Sequence, residues 1–149
     1  DTSGNQFTAL DHATRMLKVR LYKRITAEST KQFFEYLTKE YPFQRIQYVG
    51  TDNGSEFLGV FDEDLKTRKI HHVFSSPASP KQNPFVERVI RTIIDQQYSI
   101  YGLEDRPELQ QIALNDYVYK YNHKRPHHSL NLLTPMQMYA KLKADNSLT

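Results

Sequence analysis

Apolar and polar pairs alternate from Phe85 to Gln96: Phe85-Val86, Val89-Ile90 and Ile93-Ile94 are separated by charged or polar pairs. A four-residue step is close to the helical repeat, so the segment predicts an amphipathic helix with one buried face. Glu87, Arg91 and Asp95 then share the opposite stripe, with Arg88 alongside. A different period governs the N-terminal part. Leu17, Val19 and Leu21 alternate with Lys18, Arg20 and Tyr22, the pattern of a half-buried strand. With Gln6 to Asp11 across a short turn it predicts an antiparallel hairpin. Thr26 is an N-cap with Glu28 in the first turn, and Phe33, Phe34, Leu37 and Tyr41 recur at helical spacing before Pro42.

The run from Ile46 to Val49 reads as a buried strand that delivers Asp52 into an Asn53-Gly54 turn. Phe61 to Lys69 predicts a short helix and His71 to Ser75 a short strand. Ser76 to Pro84, with three prolines, is a loop. Arg106 to Tyr121 predicts a helix packing through Leu109, Ile112, Ala113, Tyr117 and Tyr121. Thr134 and Pro135 fit the N-cap and first turn of a last helix.

Composition narrows this little. A chain of 149 residues suits one domain with a real core. A hydrophobic share of 38% and a mean hydropathy of −0.69 describe a polar surface, and no apolar run approaches the roughly 18–20 residues of a membrane helix. No leader pattern is visible, although the chain opens on Asp1 rather than Met. Zero Cys removes disulfides and thiolate chemistry. A net charge of +3 with pI near 9.0 suits a polyanionic partner without requiring one. His71 and His72 are adjacent on a strand and face opposite ways, a poor arrangement for a metal.

Asp52 at a strand's end and Glu87 on a helix form a pair able to converge on a hard cation, which takes oxygen ligands. An acid pair alone is common, and most carboxylates only solvate a surface. A glycosidase pair explains neither the Asn-Gly-Ser turn nor the basic helix face. No arginine, histidine and tyrosine set suits a tyrosine recombinase.

The motifs carry more. Thr51-Asp52-Asn53-Gly54-Ser55-Glu56-Phe57, followed by Ser79-Pro80-Lys81-Gln82-Asn83 and Glu87-Arg88, resembles the catalytic core of the retroviral integrase and insertion-sequence transposase superfamily. The resemblance implies an α/β, RNase H-like fold: a mixed central sheet with helices on both faces, its first strand truncated. Residues 102–149 would form a C-terminal helical extension of one domain spanning 1–149. By the same likeness Asp52 is the second acid and Glu87 the third of an Asp-Asp-Glu triad holding Mg²⁺ or Mn²⁺. The first acid is expected in a strand ahead of this sequence, with Asp1 as the other possibility. Asp11 falls in the family's structural Asp-x-x-Ser/Thr-Arg turn.

Ser55, Lys81, Asn83, Arg88 and Arg91 become candidate DNA contacts; Lys81 and Asn83 read equally well as solvated loop residues. Tyr121-Asn122-x-x-Arg125-Pro126-His127, then Thr134-Pro135, is similar to the closing motif of the transposase branch. There Asn122, Arg125 and His127 pin the last helix, with DNA contact by Lys124 and Arg125 as the alternative. Pro84 and Ile90 depart from the family's Gly and Asn. The implied function is metal-dependent DNA cleavage and strand transfer by a homo-oligomer, in a bacterial cytoplasm near the nucleoid. A non-catalytic nucleic-acid-binding or assembly module on the same fold is the competing reading.

Overall fold

The computed structural model describes residues 5–75, 88, 92 and 106–145. Strands β1 (Asn5–Leu10) and β2 (Leu17–Tyr22) pair antiparallel, Asn5 opposite Tyr22 and Leu10 opposite Leu17. Strands β3 (Tyr48–Thr51) and β4 (His71–Phe74) pair in parallel. A parallel pair needs a crossover, and helix α2 (Val60–Thr67) supplies it. Helix α1 (Ala27–Thr38) joins β2 to β3, and α3 (Pro107–His123) and α4 (Pro135–Ala144) close the described chain. Antiparallel and parallel pairing both occur, but among the described residues they form two separate two-stranded ladders rather than one continuous sheet.

The hairpin is covered on both sides. Leu17 and Val19 on one face pack with Leu114, Tyr117 and Tyr121 of α3. Phe7 on the other face, with Met16 from the turn, meets Phe33 and Leu37 of α1 and Phe43 beyond it. The alternation read for β2 holds, with Leu17 and Val19 buried and Arg20 on the second face exposed, its guanidinium 4.6 Å from the Tyr36 ring centre. A third cluster, Phe34, Phe61 and Leu65, fastens α2 to α1 under β3.

Both expected helix starts are built as capping boxes. Thr26 and Ser29 exchange side-chain and backbone hydrogen bonds at α1, as do Thr134 and Gln137 at α4. Three expectations need correction. Helix α1 ends at Thr38, and Tyr41 beyond it stacks on Tyr139, centroids 4.4 Å apart, instead of continuing the helical stripe. Strand β3 starts at Tyr48, with Ile46 packed beneath it as a lead-in. On α3, Leu109 and Ile112 are 37% and 65% exposed, because the buried stripe runs through Gln110, Leu114, Tyr117 and Tyr121. That stripe also steps by four and three residues, so periodicity alone admitted either choice.

Asn122 ties α3 to the hairpin. Its carboxamide accepts from the Leu17 N–H and donates to the Leu17 carbonyl, both at 2.9 Å and both buried. The expectation was that it pins the last helix; here its partner is the hairpin strand instead. Asp11 is likewise occupied: one carboxylate oxygen accepts from the Thr14 N–H at 2.8 Å and from its hydroxyl at 2.7 Å, closing the hairpin turn.

Candidate active site

Strand β3 is short, and what holds its end is local. The Thr51 carbonyl accepts from the Ser75 N–H at 2.8 Å and from its hydroxyl at 3.0 Å. Asp52 follows immediately and is exposed. Its Oδ1 accepts the Gly54 N–H at 2.8 Å, a side-chain turn that aims the carboxylate along the loop. Asn53 donates to the Ser75 carbonyl at 3.4 Å, so the turn leans on the chain leaving β4.

Behind this turn lies a polar chain that the sequence did not announce. The His72 side chain is 4% exposed, with Nδ1 2.9 Å from Asp62 Oδ1 and Nε2 2.8 Å from the Thr51 hydroxyl. That hydroxyl lies 2.9 Å from the Asp52 carbonyl. It has one proton, so it either donates to the carbonyl while accepting from His72, or donates to His72. Lys66 completes the chain, its ammonium 2.8 Å from Asp62. The Lys66 hydrogen bond, and then the one from His72, hold the Asp62 carboxyl below its ordinary value. Asp62 in turn raises Lys66. The imidazole is wedged between Phe61 and Phe74, ring centres 5.6 and 4.0 Å away. Thus His72 props the strand end rather than ligating a cation. Strand alternation was the only sequence signal for it, because His71 points the other way and stacks on Tyr48.

A second carboxylate went unmarked at the sequence level. A Cβ built on Gly54 would lie 2.5–2.8 Å from the carboxylate atoms of Glu56, so Glu56 curls over the glycine whose N–H holds Asp52. Ser55 and Glu56 belong to a single 3-10 turn, Ser55–Phe57, and Ser55 is exposed beside Asp52.

A hard divalent cation fits this donor set in part. Asp52 offers an exposed carboxylate with one oxygen fixed by the backbone, the donor type such a cation prefers. Among the described residues no group of three or more His, Asp or Glu side chains gathers to hold a metal. Glu87, Lys81, Asn83, Arg91 and Asp1 lie outside the described residues. Arg88 is described and exposed; it lines a cavity with Arg15, Tyr117 and Arg125 that Asp52 does not enter. No helix among the described residues is long and apolar enough to cross a membrane.

Residues 68–135, a span that includes Glu87 and begins after Asp52, match the family model of the integrase core domain. The integrase-designated ORF3 product of Spiroplasma virus SpV1-C74 is 31% identical over 114 residues, covering 65% of this chain and 30% of that protein. A retrovirus-related Pol polyprotein from transposon TNT 1-94 of Nicotiana tabacum is 28% identical over 111 residues, 70% of this chain and 8% of that one. The chain therefore spans less than a third of either relative. The catalytic core domain of BIV integrase superposes with a TM-score of 0.75 at 19% identity, over 97% of this chain and 90% of that one. A chain of the simian T-cell lymphotropic virus intasome, solved with the PP2A regulatory subunit B56 gamma, gives 0.73 at 18% identity over 93% and 49%. These superpositions make the fold RNase H-like, two ladders with helices about them. In sequence over residues 68–135 and in fold over nearly its whole length, the chain is similar to integrase catalytic core domains.

Proposed function

We propose that this core is the catalytic part of a DDE-type polynucleotidyl transferase that cuts DNA at an element's end and joins the freed end to target DNA. Water attacks a phosphodiester and releases a 3′-hydroxyl; that hydroxyl then attacks a phosphodiester of the target, displacing a 3′-oxygen there. Neither step needs a covalent bond to the protein. The observation that carries the reading is Asp52: an exposed carboxylate at the end of a parallel strand, one oxygen fixed by Gly54 and its carbonyl buttressed by Thr51 and His72. Catalytic groups are commonly presented this way, on a loop braced by regular structure.

Asp52 and Glu87 would hold Mg²⁺ or Mn²⁺. When bound, such a cation stabilises the charge that develops on the attacked phosphoryl oxygens. Asp52 supplies a ligand whose direction is set before the cation arrives. Ser55 stands next to it, and Ser55, Lys81, Asn83, Arg88 and Arg91 are assigned to the DNA strands, where phosphate contacts position rather than read sequence. Joining two ends to one target asks for at least two copies, so the working form is assigned as a dimer or larger homo-oligomer.

The test is joining activity of the full-length protein on its own element ends with Mg²⁺ or Mn²⁺. Asp52→Asn and Glu87→Gln should each lose several kcal/mol of transition-state stabilisation, about 10³-fold or more in rate. DNA affinity should stay near that of the wild type. Joining that survives either substitution rejects the assignment. A wild-type protein that binds DNA but neither cuts nor joins it with either cation would instead be a binding or assembly module.

A further inference from the structure

Asn53-Gly54 is the one Asn-Gly step in the chain, and it sits inside the Asp52 turn. An asparagine carboxamide can be attacked by the backbone nitrogen of the next residue, because the two close a five-membered ring. Glycine at that next position puts no side chain in the way and leaves the backbone free to turn. A fold suppresses this reaction by burying the carboxamide and engaging both of its ends. Asn122 is protected in this manner: it is 4% exposed, and its carboxamide accepts and donates at 2.9 Å. Asn53 is exposed, and its Nδ2 donates to the Ser75 carbonyl at 3.4 Å, beyond the usual range of an N–H···O bond.

The attacking nitrogen is also prepared. The Gly54 N–H donates to Asp52 Oδ1 at 2.8 Å, and a charged acceptor draws on the N–H bond and leaves the nitrogen richer in electrons. Little packing holds the turn against rearrangement. Asp52, Asn53 and Ser55 are all exposed, and the atoms nearest to a Cβ built on Gly54 belong to the Glu56 carboxylate, the free end of a flexible side chain. Exposed turns of this kind open at almost no cost in free energy.

We propose that Asn53 is a covalent modification site, whose spontaneous deamidation takes away the backbone anchor of Asp52 and retires the candidate active site. The Gly54 nitrogen bonds to Asn53 Cγ, the Cγ–Nδ2 bond breaks, and ammonia leaves with the proton that Gly54 gives up. Water then opens the cyclic imide. Opening at the side-chain carbonyl gives aspartate; opening at the main-chain carbonyl gives isoaspartate, with the chain rerouted through the former side chain. In the imide the Gly54 nitrogen has no hydrogen, so the 2.8 Å bond to Asp52 Oδ1 is lost outright. Isoaspartate restores the N–H but sets it one methylene further along the main chain, out of register with Asp52. The modification stands on this geometry alone, and its effect on activity rests on the function proposed above.

The experiment ages the full-length protein in warm, mildly alkaline buffer with EDTA, folded in one arm and unfolded in urea in the other. Trypsin releases Ile46–Lys66, in which Asn53 is the one asparagine, and mass spectrometry follows the exchange of its NH₂ for OH and separates isoaspartate from aspartate. The folded rate should lie within about tenfold of the unfolded rate, as expected where opening is nearly free, while Asn122 keeps its amide in the folded arm. Gly54→Ala should leave Asn53 intact over the same period. Samples withdrawn with time and given Mg²⁺ should lose joining activity in step with the isoaspartate fraction, whereas Asn53→Gln should hold its starting activity. An unchanged mass, or a folded rate slower than that limit, overturns the proposal. Modification with joining undiminished overturns the retirement of the site. Fresh protein that fails to join counts against the function proposed above, and the mass readout still decides the modification.

Discussion

The two strand pairs of this domain are built to opposite specifications. The β1–β2 hairpin has six residues per strand, helices on both faces and a buried carboxamide clamped to its backbone. The β3–β4 pair has four residues per strand and leaves Tyr48 and Val73 66% and 53% exposed. Stability is concentrated in the first pair and the candidate chemistry in the second. Burial decides this: a fully covered pair gains from every methylene, whereas a carboxylate that must meet a cation and DNA cannot be covered. What the open pair lacks in burial it replaces with polar bracing, from Ser75 on Thr51 and from His72 and Asp62 behind it.

Substitutions should separate the two pairs. The largest effect falls on the open one: Asp52→Asn should cost about 4 kcal/mol in the barrier to joining, roughly 10³-fold, with no change in the urea midpoint. Leu114→Ala, beneath the hairpin, should do the reverse, losing about 2–5 kcal/mol of unfolding free energy. Val73→Ala on the open pair should cost within about 0.5 kcal/mol, and equal losses at the two positions would erase the contrast. Next comes Asn122→Ala, which strands a buried N–H and a buried carbonyl of Leu17 and should cost about 2–4 kcal/mol in the same urea titration.

His72→Phe tests the bracing. It keeps a ring against Phe61 but cuts the link to Thr51, so kcat for joining should drop about 10- to 100-fold while DNA affinity holds. Full activity in that variant would reduce the polar chain to packing. The smallest effect concerns pH. Burial pushes the Tyr121 phenol up to about 12 from an ordinary 10.0. The folded state then keeps a proton that the unfolded chain loses, so its contribution to stability is complete below pH 10 and disappears as pH rises towards 12. Tyr121→Phe should flatten the fall in urea midpoint across that window.

What the sequence revealed was whatever is decided locally. Thr26 and Thr134 announced their helices because a cap involves residues three apart. The Asp52-Asn53-Gly54 turn was readable because Asp and Gly turn chemistry is short-ranged. Asn122 was anticipated as a pin through the closing motif, but its target, Leu17, lies 105 residues away and no local rule names it. Ile112 was misassigned because two helical stripes compete and only the position of β2 chooses between them. His72 was passed over for a related reason. Its worth depends on Thr51, a neighbour 21 residues away that folding brings in.

The clamp at the top of α3 has a consequence for mutational tolerance. Asn122 reads only main-chain atoms of its target, so position 17 answers to packing alone and other aliphatic side chains can occupy it without disturbing the link. Position 122 has no such latitude. Aspartate has no hydrogen to give the carbonyl, glutamine overreaches by a methylene, and leucine can do neither job. One end of a tether 105 residues long is thus open to drift, and the other is confined to a single amino acid.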